Sequence, residues 1–455
     1  MAQFDAVSLT DMLLAREMRA KRQDDFFKQH NSTLLSYSLN VVGAQKRSDL
    51  LDRAFYEGLA EIKTRIIQHR LPVKESVKTD ATTGLEYLWA IDADAVLLKS
   101  IFVQLEETHP LGRLFDMDVL CFQRGKIERS MLNRAERSCL LCNEAGHACA
   151  RSRKHEVSEV IAYIENMLDV FFVKKDAQLI SQIAVGALLY ELSVTPKPGL
   201  VDRKNNGAHM DMDFYTFLDS ATALSPYFEK MYVLGAENKN LSAKELLPHL
   251  RVAGIRAESD MFSATAGINT HKGAIFSLGI LAASCGYLGA GNKDVQQILE
   301  TAAHIASGAL KTDFAKLEQE NATTNGEVLF VKHGITGIRG EAALGFPAVR
   351  KYGLKTLEEA MLRGVSLNDA GVETLLTLLS CVEDTNIIHR GGRQRLKEIQ
   401  DKLQQFLKTQ PNTEEILQYA THLDRQFISE NLSPGGCADL LAICYMLHLL
   451  KRRSG

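Results

Sequence analysis

The chain has 455 residues, of which 45% are hydrophobic and 24% are charged, and its formal net charge at pH 7 is −3. This composition is that of an ordinary globular protein, and it excludes a disulfide scaffold and a general attraction to nucleic acid or to anionic membranes. Because the length exceeds what one hydrophobic core usually serves, two domains are expected.

No stretch approaches the roughly 20 uninterrupted apolar residues that a membrane helix needs. The sequence MAQFDAVSLTDM at residues 1–12 lacks the basic and then apolar plan of a signal peptide. We therefore expect a cytoplasmic protein without a membrane span, in which the eight cysteines stay reduced.

Residues 1–170 mix two hydrophobic periods. The spacing of apolar residues predicts helices over Asp11–Lys28 and Asp94–Glu107. Alternation and β-branched residues predict strands over Ser32–Val42, Gly84–Ala90 and Leu114–Phe122. This half of the chain is therefore expected to be an α/β domain, in the broad sense that includes α+β.

From about Glu156 the apolar residues repeat with helical spacing, and we find no convincing strand. Apolar stripes recur at 177–192, 273–290, 295–310, 356–366, 369–382, 412–429 and 436–450. The change near 155–176 marks the domain boundary, with a helix expected on each side of the charged VKKD turn. We predict an N-terminal α/β domain over 1–172 and a C-terminal all-α helical bundle over 173–455.

Glycine and proline gather in short loops of the second half. These loops are TPKPG (195–199), TAGINTHKG (265–273), KHGITGIRGE (332–341), HRGG (389–392) and SPGG (433–436). A helical bundle needs only brief polar connections, so loops rich in permissive backbone and in cations indicate a shared site at one end of the bundle. In the first loop the prolines block helix continuation and are expected to present Lys197, Arg203 and His209 in one region.

Other residues beside these loops are suited to phosphate or metal binding. In NTHKG, a helix N-terminus with His271 and Lys272 favours a phosphate, and the alternative is a capped helix with a solvated lysine. Arg339 lies between glycines that let a ligand approach the backbone. Carboxylates near the loops are candidate Mg²⁺ ligands or bases, although aspartates at helix starts are often caps. They are Asp211, Asp213, Glu258, Asp260, Asp384 and Asp439.

A pair of carboxylates stands out in the first half. Asp116 and Asp118 of LGRLFDMDVL share one face of a predicted strand, because side chains alternate along a strand. Two adjacent carboxylates repel unless a cation lies between them, so the pair is a candidate Mg²⁺-phosphate site, supported by the neighbouring Arg113. The alternative is a strand edge that faces solvent.

The stretch CLLCNEAGHACARSRKH supplies Cys139, Cys142, His147, Cys149 and His155. Its spacing, C-x2-C-x6-C, differs from that of a standard zinc finger, and the chain has no second CxxC. We interpret the group as buried thiols beside a basic run, with a structural zinc site as the alternative.

Two groups of motifs resemble known enzymes. The motifs HPLGRLFDMDVL and CLLCNEAGHACARSRKH resemble apo-citrate lyase phosphoribosyl-dephospho-CoA transferase. Five blocks in order resemble triphosphoribosyl-dephospho-CoA synthase: TPKPGLVDRKNNGAHMDM, GINTHKGAIF, GIRGEAALGFP, EDTNIIHRGG and SPGGCADLLA. Together they resemble the fused bifunctional form of the two enzymes, the CitXG type, over nearly the whole chain.

The resemblance implies a two-step synthesis of the citrate lyase prosthetic group. The C-terminal domain would join ATP to 3′-dephospho-CoA and release adenine. The N-terminal domain, implied to be nucleotidyltransferase-like, would transfer phosphoribosyl-dephospho-CoA to a serine of the acyl carrier (gamma) subunit of citrate lyase and release diphosphate. The implied partners are this subunit and small-molecule nucleotides, and the implied cofactor is Mg²⁺.

This chemistry suggests roles for the candidate residues. Phosphate contacts are assigned to Lys197, Arg203, His209, His271, Lys272 and Arg339 in the C-terminal domain and to Arg113, Arg16 and Arg19 in the N-terminal domain. Catalytic carboxylates are assigned to Asp211, Glu258, Asp384 and Asp116. Metal ligands are assigned to Asp116, Asp118, Asp211, Asp213 and Glu258.

Three alternatives stay open from the sequence. The helical half is also compatible with a nucleotide glycohydrolase or a kinase-like enzyme. The first domain is also compatible with a module that only docks the carrier subunit. The related malonate decarboxylase pathway uses the same prosthetic group.

Overall fold

The computed structural model describes residues 6–142, 144–289, 294–317, 328–331 and 334–452. Residues 1–5, the last residue of the 273–290 stripe and the first two residues of the KHGITGIRGE loop lie outside the described residues, and side chains are not described at 150 and 309–317. The chain divides into two compact units, Met1–Phe172 and Val173–Gly455.

The first unit contains one antiparallel sheet with helices. Its strands follow the order β2-β3-β1-β4-β5. The elements are α1 (Leu9–His30), β1 (Thr33–Leu39), α2 (Asp49–Gln68), β2 (Val73–Ala81), β3 (Gly84–Ile91), α3 (Ala95–Thr108), β4 (Phe115–Cys121), β5 (Gly125–Lys126) and α4 (Gly146–Ser152). The helices and strands predicted in this unit are present, but the sequence patterns did not indicate α2 and β2. Because all strand pairs are antiparallel, the unit is α+β.

The two faces of the sheet differ in chemistry. Tyr37 of β1 pairs with Met117 of β4, and both side chains are buried on the face covered by α2 and α3. The neighbouring residues point to the opposite face, toward α1, because side chains alternate along a strand. On that face the register places Asp116 beside Ser38 and Asp118 beside Ser36.

Among the described residues from Val157 onward, every regular element is helical. The helices are α5 (Val157–Ser193), α6 (Phe214–Ala223), α7 (Ser225–Glu237), α8 (Leu247–Ala264), α9 (Lys272–Leu288), α10 (Val295–Leu317), α11 (Gly337–Ala343), α12 (Leu354–Leu362), α13 (Leu367–Leu379), α14 (Thr385–Lys408, with a break at Gly392), α15 (Thr413–Ser429) and α16 (Gly435–Arg452). Short helical segments at 243–245, 328–331 and 349–353 accompany them.

The predicted turn at VKKD is wrong. Residues 173–176 lie inside α5, which continues from Val157 to Ser193 without interruption. Lysine is a good helix former, and Lys174 and Lys175 are exposed, so these charges lie on a solvated helix face and do not end the helix. A change in charge is therefore a poor indicator of a helix end when neither glycine nor proline accompanies it.

Helix α9 is the buried centre of the C-terminal unit, and glycines let α7 pack directly on it. A Cβ at Gly286 of α9 would lie 1.9 Å from the carbonyl oxygen of Tyr232. A Cβ at Gly235 of α7 would lie 2.0 Å from the carbonyl oxygen of Ala283. Since no side chain can occupy these points, the two backbones fix each other's position, and with it the position of the α9 N-terminus.

We predict that Gly286→Ala destabilises the protein by about 1–3 kcal/mol, because the new methyl group has to push two helix backbones apart. Gly254→Ala in α8 is the matched control, since its nearest neighbour would be the Tyr227 hydroxyl at 3.9 Å. The control is expected to be neutral or slightly stabilising because alanine favours helix. Thermal unfolding of the two variants measures the difference, and equal stability would contradict the packing described here.

Candidate active sites

The proline-containing loop after α5 is fixed by polar side chains. The Thr195–Pro196 peptide bond is cis. The Asn368 amide accepts the Thr195 N–H at 2.9 Å and donates to the Thr195 carbonyl at 2.8 Å. Buried Asp202 accepts backbone N–H bonds from Lys197, Lys204 and Asn205. Asp202 within the loop and Asn368 of α13 therefore hold the loop in one defined shape.

The same loop packs against the SPGG loop. Gly199 has a positive φ of 68°, and a Cβ there would lie 2.2 Å from the carbonyl oxygen of Leu432. His209 Nε2 lies 2.9 Å from Ser433 Oγ. Burial, with the nearby charge of Arg390, lowers the pKa of His209. His209 therefore acts as a neutral hydrogen-bonding group near pH 7.

Lys197 points into the protein and not toward solvent. It is 2% exposed, and its Nζ lies 2.6 Å from Oε1 of Glu191 on α5. Burial raises the pKa of Glu191, and the Lys197 charge opposes that rise. The sequence did contain a signal for Glu191, because it is the one charged residue in the apolar run IAVGALLYEL. Our sequence interpretation missed it.

Asp439 of α16 lies against the N-terminus of α9. A Cβ at Gly273 would lie 1.9 Å from Oδ2 of Asp439, so only glycine allows this approach. Burial, reinforced by Glu191 and Asp384, raises the pKa of Asp439 well above its usual range. Asp439 as a whole residue is partly exposed to solvent. A raised pKa favours the protonated form of a carboxyl group, and that form can donate its proton.

Asp384 is 1% exposed and joins two helix starts. Its Oδ1 accepts the backbone N–H groups of Asn386 and Ile387 at 2.9 and 3.1 Å. Its Oδ2 accepts the N–H of Cys437 at 2.8 Å. Burial raises the pKa of Asp384 in spite of these bonds. The structure thus uses this predicted catalytic carboxylate as a double cap for α14 and α16.

His271 lies directly before α9 and is 4% exposed. Its Nδ1 lies 2.7 Å from Ser220 Oγ, whereas its buried Nε2 has no partner among the described residues. Burial, together with the charge of Lys197, lowers the pKa of His271 to about 3. The ring is therefore neutral, with one nitrogen available.

The lysine next to His271 is paired. Lys272 Nζ lies 3.0 Å from Oε2 of Glu258 on α8, and both side chains are about one-third to two-fifths exposed. Because both groups are reachable from solvent, the pair borders the N-terminus of α9 and does not seal it. The predicted phosphate contact, Lys272, and the predicted catalytic carboxylate, Glu258, thus form one ion pair.

Asp211, Asp213 and Glu258, which the sequence suggested as metal ligands, do not form a group of three metal-ligating side chains among the described residues. Asp211 is 65% exposed, and its Oδ1 lies 4.0 Å from Nδ1 of His209. Asp213 caps α6 through a 2.8 Å bond from the Thr216 N–H, which lowers the pKa of Asp213. The described residues contain two groups of three or more metal-ligating side chains, and neither includes these three carboxylates. Asp213 and Glu258 instead have partners within the protein.

Two predicted phosphate contacts lie at the edge of the site. Exposed Arg203 donates to Thr195 Oγ1 at 3.3 Å and to Asn368 Oδ1 at 2.9 Å, so it is part of the loop framework. Arg339 is half-buried on the short helix α11. A Cβ at Gly337 would lie 3.1 Å from Thr385, which brings this loop to the start of α14.

The glycine-rich loops of the C-terminal unit therefore meet, as far as they are described. The HRGG segment, predicted as a loop, lies inside α14, whose backbone breaks at Gly392. Its Arg390, to which no role was assigned from the sequence, donates to the Ala208 carbonyl at 3.1 Å and to Asn431 Oδ1 at 3.1 Å. The Lys197 charge acts on His271, and Asp439 contacts Gly273. These contacts form one cluster with a buried acidic centre.

A second candidate site lies in the N-terminal unit, between α1 and the sheet. It is a pocket of about 180 Å³ whose charged lining residues include Arg16, Arg19, Lys46, Arg47, Asp52, Glu86 and Asp116. Arg19 Nε donates to Oε1 of Glu86 at 2.8 Å. Burial, and then the Arg16 charge, lower the pKa of Lys46. The predicted residues Arg16, Arg19 and Asp116 are brought together here.

The Asp116 and Asp118 pair behaves as two nearby carboxylates should. Burial and the Asp118 charge raise the pKa of Asp116. Asp118 lies 2.8 Å from Lys126 Nζ. Two carboxylates on one strand face, one of them with a raised pKa, are suited to binding a divalent cation between them.

Arg113, a predicted phosphate contact, does not line the pocket. Its Nη1 donates to Ser138 Oγ at 3.0 Å, and its Nη2 donates to the Ser138 carbonyl. It therefore anchors the loop that precedes the cysteines. Lys46 and Arg47, which the sequence interpretation missed, take the place expected for it.

Comparison with known proteins gives two matching families. The family described as ATP:dephospho-CoA triphosphoribosyl transferase matches residues 177–455, and that described as apo-citrate lyase phosphoribosyl-dephospho-CoA transferase matches residues 7–171. Protein CitXG of Leuconostoc mesenteroides subsp. cremoris is 35% identical over 97% of this chain and 97% of its own length. The chain belongs to the CitXG family. Protein CitXG of Haemophilus influenzae is 34% identical over 96% of this chain and 95% of its own length.

Membership of the CitXG family makes the protein a transferase. Its two activities are the synthesis and the attachment of the citrate lyase prosthetic group. A probable 2-(5″-triphosphoribosyl)-3′-dephosphocoenzyme-A synthase of Vibrio cholerae is 42% identical over 60% of this chain and 88% of its own length. None of the described helices has the length and apolar character required to cross a membrane.

We predict that Lys197→Met destabilises the protein by about 3–5 kcal/mol, because it leaves the Glu191 carboxylate buried without its partner. The double variant Lys197→Met with Glu191→Gln removes both charges and is expected to recover most of that loss. Chemical denaturation of the single and double variants measures the coupling. Additive losses in the double variant would show that the two side chains do not stabilise each other.

Proposed function

We propose that residues 173–455 catalyse the synthase step and residues 1–172 the transfer step. In the first step a ribose hydroxyl of 3′-dephospho-CoA attacks C1 of the ATP ribose, the bond to adenine breaks, and the triphosphate stays on the product. In the second step the serine hydroxyl of the citrate lyase acyl carrier subunit attacks the first phosphorus, and diphosphate leaves. The nucleophile of the second step belongs to the partner, so this chain needs no serine of its own.

The synthase step rests on the cluster around α9. Adenine is a poor leaving group unless a proton reaches its ring as the bond to ribose breaks. Asp439 is the proposed proton donor, since its raised pKa favours the protonated form and it lies at the helix start where a phosphate would bind. This single observation carries the proposal for the C-terminal unit.

The remaining roles in this unit follow from exposure and charge. Glu258, beside Lys272 at the α9 N-terminus, is the proposed base for the incoming hydroxyl. Exposed Asp211 is a second candidate for this base. Lys272, Arg203, Arg339 and the free nitrogen of His271 are proposed to contact the triphosphate or the nucleotide, with His209 at the edge. Lys197 and Asp384 are proposed to support the site without touching the substrates. Lys197 would act through its charge, and Asp384 by capping two helices.

The transfer step rests on the pocket between α1 and the sheet. Arg16, Arg19, Lys46 and Arg47 provide positive charge where a diphosphate group has to be bound and released. Asp116 and Asp118 would hold Mg²⁺, which neutralises the charge of the leaving diphosphate when it is bound. A cation at paired strand aspartates is the nucleotidyltransferase-like feature of this proposal, and Asp116 is its proposed catalytic carboxylate.

The acyl carrier subunit of citrate lyase and the two small-molecule nucleotides are the proposed partners, and the cytoplasm is the proposed location. Mass spectrometry of the carrier subunit tests this function, after incubation with the protein, ATP, Mg²⁺ and dephospho-CoA. The expected product is a carrier that has gained phosphoribosyl-dephospho-CoA. Adenine release without dephospho-CoA would indicate a glycohydrolase, and binding of the carrier without modification would indicate a docking module.

Asp116→Asn tests the division between the two units. We expect carrier modification to fall by about 10²-fold or more, because the variant loses one of two charges that would hold the cation. Adenine release is expected to stay at the wild-type rate. Equal loss of both activities would contradict the assignment of the two steps to separate units.

Asp439→Asn tests the proposed proton donor. Loss of a general acid is expected to slow adenine release by about 10²–10⁴-fold, while transfer of preformed triphosphoribosyl-dephospho-CoA continues. The exposed residue Asp401 provides a control through Asp401→Asn, which is expected to leave both activities unchanged.

The same variant has a predicted effect on stability. Because folding raises the pKa of Asp439, the folded protein binds more protons than the unfolded chain above the ordinary value of 3.8, and wild-type stability falls as pH rises from there. Asp439→Asn removes this dependence, so its stability relative to wild type should increase between pH 4 and pH 7. A variant that is inactive and also less stable at pH 7 would point to a structural role for Asp439.

A further inference from the structure

The cysteine-rich segment that precedes α5 brings four metal-ligating side chains together. The thiols of Cys139, Cys142 and Cys149 and one ring nitrogen of His155 all lie within 4.8 Å of one another. All three cysteines are free thiols. His147 of the same segment is exposed and does not belong to the group.

Backbone contacts hold together the two ends of the segment that carries the first two thiols. Ser138 and Ala145 form a β-bridge, and the Cys139 N–H donates to the Glu144 carbonyl at 2.6 Å. The Leu141 N–H donates to Cys139 Sγ at 3.4 Å. A backbone N–H directed at sulfur favours the thiolate, which is the form that binds metal.

The other two ligands arrive from the short helix that follows. Cys149 lies on α4 and is 4% exposed. His155 lies just beyond the end of α4, and its Nε2 is buried with no hydrogen-bond partner among the described residues. Leaving a buried polar atom without a hydrogen-bond partner is unfavourable, so the contacts within the protein do not explain the position of this nitrogen. If the cysteines were only buried thiols, nothing would explain why this histidine nitrogen is buried without a partner beside them.

We propose that Cys139, Cys142, Cys149 and His155 bind a structural zinc ion. Three thiolates and one imidazole form one of the standard four-ligand sets of structural zinc, and soft sulfur ligands favour zinc over magnesium or calcium. Because the protein supplies all four ligands, no coordination position is left for substrate. The site is therefore structural and not catalytic.

The ion would fix the residues on the N-terminal side of the turn. Ser138, next to Cys139, receives the hydrogen bonds from Arg113. Arg137 forms an ion pair with buried Glu106, and its charge also acts on Asp116. Loss of zinc is thus expected to disturb the contacts of Ser138 and Arg137 in the N-terminal unit. It is not expected to affect the cluster around α9 directly.

Metal analysis of the purified full-length protein tests the site. We expect about one zinc ion per chain in the wild type, measured by inductively coupled plasma mass spectrometry after reduction, incubation with zinc and desalting. Cys142→Ser is expected to lower the zinc content at least several-fold. Cys381→Ser is the matched control, since this cysteine is exposed and belongs to the C-terminal unit, and its zinc content should equal that of the wild type.

Substitution with cobalt identifies the ligands without relying on the variants. Wild-type protein reconstituted with Co²⁺ is expected to show the sulfur-to-metal charge-transfer band of thiolate ligation and the intense visible bands of tetrahedral cobalt. Wild-type protein that holds no zinc after reconstitution would overturn the proposal, as would full zinc content in Cys142→Ser. Neither result depends on enzyme activity, so failure of this proposal is distinguishable from failure of the proposed function.

Discussion

The buried pair of Lys197 and Glu191 is the interaction on which the C-terminal unit depends. An ion pair in the interior is stable only if each charge stays compensated, since desolvation of a single charge costs several kcal/mol. The proline loop has to bring Lys197 back beneath the end of α5, and the buried Asp202 side chain and the Asn368 amide hold the loop in the shape that does so. Lys197 provides one positive charge near three buried acids, Glu191, Asp384 and Asp439. The pKa of each of these acids is raised, so protonation is favoured where the lysine cannot balance their charge.

Helix starts explain how the surrounding groups are aligned. Asp384 caps α14 and also accepts an N–H from the first turn of α16, so two helices begin at one carboxylate. Helix α9 begins beside Asp439 because Gly273 has no side chain, and its depth is fixed by direct backbone packing against α7. Three helix N-termini and their partial positive charge thus lie close to the acidic cluster, an arrangement suited to binding phosphate.

Much of the fold was predictable from the sequence, whereas the contacts of individual side chains were not. Apolar periodicity located α1, α3, β1, β3 and β4, and the Asp116 and Asp118 pair was placed correctly because alternation along a strand is a local rule. The partners of Lys197, Arg113 and Asp213 could not be deduced in this way. Two of these partners are remote in sequence or hidden in an apolar run, and the third is a local cap that resembles a metal ligand in the sequence.

The two units place their charges in opposite environments, and this difference fits the two reactions. The N-terminal pocket is lined by Arg16, Arg19, Lys46 and Arg47, and salt bridges satisfy Glu86 and Asp52, so the field there favours an anion that enters and leaves with its full charge. In the C-terminal cluster Asp439 is desolvated near two other acids, so the field favours a stored proton. Diphosphate departs as an anion and requires compensation of charge, whereas adenine departs as a neutral base when a proton reaches its ring as the bond to ribose breaks. The two proposed steps thus call for different electrostatic environments, a cationic pocket for the departing diphosphate and a carboxyl group of raised pKa for the departing adenine.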